Sequence, residues 1–216
     1  MTERLAVALE GTGKKVFASA LEWPGWSRSG KNAEAAIEAL LAYAPRYAPV
    51  ARAAGFKLGT TFDVDVVERL GGAGGTEFGI PSRPTKADGR RVDGAEAARL
   101  AAIVEAAWAT FDDVAARAPA ELRKGPRGGG RDRDKMVGHV IEADAAYARE
   151  IGIRIKPPAP NDAAAVKQIR SEILAVLREP SDGKPLAARS WPARYAARRI
   201  AWHALDHAWE MEDRSE

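Results

Sequence analysis

The stretch RRIAWHALDHAWEMED, residues 198–213, decides the reading of the second half of the chain. Trp202, Leu205 and Trp209 recur at spacings of three and four, the period of an amphipathic helix. Arg199, His203, His207 and Glu210 form a neighbouring line, so a polar row borders the apolar one. His203 and His207 lie one turn apart and project from the same face. The chain has three histidines, and the third, His139, falls in a different predicted helix. A pair at i and i+4 plus one imidazole from elsewhere is a sensible way to build a three-nitrogen metal site with an open coordination position. Buried polar groups without partners cost about 1–3 kcal/mol each, and one divalent cation would satisfy three imidazoles at once.

Working outward, three more helices are predicted. Leu100, Ile103, Val104, Ala107, Trp108, Phe111 and Val114 mark a helix over about 94–118. A second covers about 132–151, with Met136, His139, Val140, Ala143 and Tyr147 on one face. Pro157, Pro158 and Pro160 interrupt before a third over about 161–178, and SDGKP (181–185) turns the chain into the fourth, about 192–213. Four amphipathic helices close by burying their stripes against one another, as a four-helix bundle.

The first half reads differently. Residues 4–10 and 14–23 alternate as two strands around the hairpin Gly11-Thr12-Gly13, and Pro24-Gly25 stops the second. Asn32 caps a predicted helix running to about residue 53, and 61–70 alternates again as a strand. Residues 71–92 carry five glycines by position 79, then Pro81 and Pro84, and read as a linker or irregular loop. They lack both GxGxxG and a GK[ST] ending, which argues against a phosphate loop. The expected fold class is α+β: a ββαβ module over 1–75, a linker over 76–92, and an all-α bundle over 93–216.

Two resemblances follow from these residues. VFASALEWPGWSRSGKNAEAAIEALL (16–41), a strand, a Glu-x-Pro-Gly turn and a capped helix, resembles the HicB-like antitoxin fold, with a match over about 5–70. Nothing in the sequence supplies the DNA-binding element that many such antitoxins append. MVGHVIEADAAY (136–147) and RRIAWHALDHAWEMED resemble the DinB-like (DinB/YfiT-type) superfamily over about 93–216, with His139, His203 and His207 at the positions of its metal ligands. That resemblance implies an intracellular metal-binding bundle, often a homodimer. Its relatives act on or with low-molecular-weight thiols. The expectation is a thiol-dependent transferase or isomerase, or a hydrolase, for a small-molecule substrate. The metal would be zinc, nickel or iron, and the thiol one such as mycothiol.

Other residues near the histidines admit two readings each. Glu142 and Glu210 lie one turn from His139 and His207, and are either surface carboxylates or groups that orient a ligand, complete its shell or carry a proton. Arg199 holds an anionic substrate group or makes a structural ion pair, and Trp202 is a substrate platform or core packing. Asp206 projects about 100° from His207 and stands outside the site. Arginines cluster at 121–135 and at Arg189, Arg194, Arg198 and Arg199, as solvated surface or as anion recognition. A net charge of +3 is too mild to require nucleic acid. The absence of cysteine removes disulfides, thiolate nucleophiles and Cys-based metal sites. No apolar run approaches the roughly 20 residues of a membrane span, and the N-terminus lacks a signal-peptide core, so a cytoplasmic protein is expected. The competing function is a non-catalytic regulatory protein whose N-terminal module binds a protein or RNA partner while the bundle dimerises.

Overall fold

The structure is a computed structural model that describes residues 2–125, 130–188 and 190–215. It is a mixed α+β fold with strands in the N-terminal part and helices after them. Strand β1 (Glu3–Gly11) is central, flanked by antiparallel β2 (Val16–Ala20) and parallel β4 (Phe62–Gly71), with β3 (Ser27–Gly30) at the edge beyond β2. Alternation and register put Leu5, Val7, Leu9, Ala18 and Ala20 on one face of the sheet and Ala8, Glu10, Phe17 and Ser19 on the other. All nine are buried, as expected of strands covered on both sides.

The parallel β1–β4 pair needs a crossover, and α1 (Ala33–Ala42) with α2 (Ala44–Ala53) provides it. Asn32 caps α1 by accepting the Ala35 N–H. The sequence predicts one helix to residue 53, but Pro45 lacks the N–H that would continue the ladder. The chain breaks at Tyr43 and restarts with the proline in the new first turn. Strand β3 escapes the sequence reading because SRSG carries no apolar alternation. Tyr47 locks this layer: its ring stacks on Trp26 at 5.3 Å and its hydroxyl donates to the Pro24 carbonyl at 2.7 Å.

The four long helices are α4 (Gly94–Arg117), α5 (Arg133–Glu150), α6 (Ala163–Leu177) and α7 (Ala193–Ser215). Helix α7 lies along α4 and α5, and α6 closes against α4 and α5. Residues 76–92, expected as a linker, are irregular but tied down at several points. The chain forms a short helix α3 (Gly74–Glu77) and a 3-10 turn over Lys86–Gly89. The buried Glu10 carboxylate accepts from the Thr76 hydroxyl, the Ser82 N–H at 3.1 Å and the Arg83 N–H at 2.9 Å. Asp88 takes both arms of Arg198, at 2.8 and 2.6 Å.

The sheet layer and the bundle bury their apolar residues in one contiguous cluster. Gly25, at φ +92°, lets the turn after β2 press onto α7, where an added Cβ would stand 2.8 Å from Leu205 Cδ1 and 3.0 Å from Ala201. Tyr43 meets Trp209 edge-on at 5.1 Å, and Arg28 pairs with Asp206 at 2.9 Å. So α7, the helix with the histidine pair, is held on one side by the sheet layer and on another by α5. No helix among the described residues is long and apolar enough to cross a membrane.

Candidate metal centre

Helix α7 buries nearly all of its length from Ala193 to Met211, which accounts for its density of small residues: Ala193, Ala196, Ala197, Ala201, Ala204 and Ala208 let neighbouring helices approach. His203 and His207 stand on the side facing α5, and α5 brings His139 to them from across the helix pair. Among the described residues this is the only group of three histidine, cysteine or acidic side chains that converges as a metal site, with one ligand atom of each within 4.8 Å of the others. His203 Nε2 and His139 Nε2 are 3.2 Å apart. The three rings meet nearly edge to face, at centroid distances of 4.9, 5.0 and 4.7 Å.

That arrangement suits a cation. Two nitrogens bound tetrahedrally at zinc–nitrogen distances of about 2.0–2.1 Å lie about 3.4 Å apart, close to the His139–His203 separation. Burial pushes the His203 imidazolium well down from its ordinary range, and His207, His139 and Arg199 push it further. Burial likewise lowers His139, with His207 adding to it. Neutral imidazoles are the form that donates a lone pair to a metal.

Glu210 sets the orientation of the third ring. Its hydrogen bond to His207 Nδ1, at 2.9 Å, holds this carboxyl below the usual carboxylate range, with Arg214 also bonded to it at 2.9 Å. An ionised carboxylate only accepts, so Nδ1 carries the proton and Nε2 is left as the lone-pair nitrogen. This is the carboxylate–histidine pairing that supports metal ligands. His203 differs, since its buried Nδ1 has no hydrogen-bond partner among the described residues.

The remaining sequence candidates fall in distinct places. Glu142 is exposed, and no described side chain hydrogen-bonds to it. Trp202 is buried, edge-on to Phe17 at 6.4 Å and beneath Arg199, whose guanidinium carbon is 4.8 Å from the ring. Arg199 is 6% exposed and lies by Pro81 and Tyr147. Asp206 turns away to Arg28, as its position on the helix indicates. Of the arginine clusters, Arg194 pairs with Glu96 at 2.6 Å and Arg198 with Asp88; Arg189 and residues 126–129 lie outside the described residues. Sequence reasoning placed Tyr147 only as packing. Its ring stands 5.6 Å from that of His203, and its spacing from His139, eight residues or about two helical turns, was the signal available.

The chain matches no family model, and comparison with curated proteins and with solved structures likewise finds no match.

Proposed function

We propose that the chain is a divalent-metal-binding protein of DinB-like type that works as a metal-dependent enzyme on a small molecule, with His139, His203 and His207 holding the ion. The observation that carries this reading is the convergence of the chain's three histidines, from two helices, with His207 fixed by Glu210. A zinc, nickel or iron(II) ion bound there supplies a Lewis acid with room for a further ligand. The chain's own residues do the rest: Glu210 orients His207, and Tyr147 and Arg199 border the site. A thiol-dependent transferase or isomerase, using a low-molecular-weight thiol such as mycothiol, or a hydrolase, is the reaction class that goes with this reading. A cytoplasmic homodimer goes with it as well.

A thermal-shift series with Zn²⁺, Ni²⁺ and Fe²⁺ tests it. A ligand at a hundredfold excess over its Kd stabilises the folded state by about 2.7 kcal/mol, so the wild-type melting temperature should rise with at least one ion and that of His203→Ala should not. With that ion bound, turnover of a thiol–electrophile pair should appear and should vanish in His203→Ala. A melting temperature indifferent to all three ions overturns the metal centre. Metal binding without turnover of thiol or hydrolysable substrates leaves a binding protein in place of an enzyme.

A further inference from the structure

Arg214 lies on the last turn of α7, where a charged side chain ordinarily runs out into water. Here the side chain is only 12% exposed. Nη1 donates to Glu210 Oε1 at 2.9 Å, and Nε donates to the Arg123 carbonyl at 2.6 Å. In return, Arg123 gives its backbone N–H to the Arg214 carbonyl at 2.9 Å and its Nη2 to the Asp213 carbonyl at 2.6 Å. The last carbonyls of a helix have no partner within it, so the exchange also satisfies groups that the end of α7 leaves open. Gly130, at φ +117°, presses onto the guanidinium: a Cβ there would stand 2.6 Å from both Nη atoms.

The segment that grips Arg214 is also bound to α5. The Leu122 N–H donates to Asp132 Oδ1 at 3.2 Å, and Arg133, on the first turn of α5, donates Nη1 to the Ala118 carbonyl at 3.1 Å. Residues 118–125 thus touch the start of the helix that carries His139 and the end of the helix that carries His203 and His207. Glu210 uses one oxygen for each neighbour: Oε2 meets His207 Nδ1 at 2.9 Å, and Oε1 accepts from Arg214. A carboxylate held at a single oxygen turns easily about its last bond, whereas one held at both cannot turn without breaking a contact.

We propose that Arg214 is a positioning residue of the metal centre: by fixing Glu210 against residues 118–125, it holds His207 in the Nδ1–H tautomer and leaves Nε2 free to bind the ion; this rests on the metal-centre reading above. Outer partners of this kind orient a ligand ring and select its tautomer without touching the ion. His203 lacks such support, since its Nδ1 has no hydrogen-bond partner among the described residues. His207 is therefore the ligand whose orientation is set from outside the cluster, and Arg214 is the outer link of that support.

Two measurements on the full chain test the proposal. Long-range proton–nitrogen NMR spectra of the metal-free protein, above neutral pH, report the tautomer of each histidine. His207 should give the Nδ1–H pattern in the wild type and in Arg214→Lys, which keeps a cation beside Glu210. In Arg214→Met it should give an average of both tautomers. Zinc affinity, read by competition with a chelating dye, should fall about tenfold in Arg214→Met, the low end of what loss of an outer partner costs a metal site. In a Glu210→Gln background the same substitution should change zinc affinity by no more than about twofold, because Arg214 acts through Glu210. Arg214→Ser, too short to reach Glu210, carries the same expectations if Arg214→Met does not fold. An Nε2–H pattern for His207 in the wild type, an unchanged tautomer or zinc affinity in Arg214→Met, or an equal loss of affinity in both backgrounds overturns the proposal. Failure of the wild type to bind zinc refutes the metal centre alone, since the spectra of the metal-free chain still decide whether Arg214 holds His207.

Discussion

His139 and His203 are kept neutral by burial, and this has a consequence for stability. Both imidazoles titrate below the ordinary histidine value of about 6.5 that the unfolded chain approaches. As pH falls below about 6.5 the unfolded chain takes up protons that the folded chain refuses, so the stability present above that point is lost on acidification. Asp144 acts in the opposite sense. Burial raises it to about 6, against the pull of Arg170 at 3.1 Å and of Trp108 at 3.1 Å, so protonation on acidification favours the folded state. The histidine contribution is isolated by subtraction: the metal-free wild type should lose more urea resistance between pH 7 and pH 5 than the His139→Asn/His203→Asn double variant. Equal losses would mean that the two imidazoles are not neutral in the folded chain. At this scale the convergence of the three histidines was legible, because three histidines in 216 residues leave few combinations and helical spacing fixes which two share a face. The partner of Arg198 was not, since no local pattern ties it to Asp88, 110 positions earlier.

Among the elements, α7 organises the molecule. Its histidine face meets α5, and its Ala201 and Leu205 meet the turn at Gly25. That turn was legible as a strand stop from Pro24-Gly25, but its contact with α7 was not, because glycine spacing says nothing about which distant element approaches. Gly25→Ala should destabilise the protein by about 2–4 kcal/mol, combining the left-handed backbone penalty with overpacking against α7. Chemical denaturation measures it, and a loss under about 0.5 kcal/mol would show that the turn does not bear on the helix. The break between α1 and α2 was readable from Pro45, and a continuous amphipathic stripe through residue 51 concealed it. Strand β3 offered no such cue: it is short and polar, and pairing with β2 alone defines it.

For the whole molecule, the α+β class and the order of strands before helices followed from the change in hydrophobic period near residue 71, from two to 3.6. The joining of the halves did not follow. Glycines and prolines over 71–92 read locally as a linker, while Glu10, Arg198 and Tyr195 anchor the segment through contacts set by tertiary packing. The result is a sheet layer and a bundle around one buried cluster, with the three histidines where α5 meets α7. The most direct test of that centre is the metal content of the purified chain after saturation with zinc and exhaustive dialysis, measured beside His203→Gln. The expected result is one tightly held zinc ion per wild-type chain and almost none in the variant. Equal zinc in both proteins, or none in either, would contradict it.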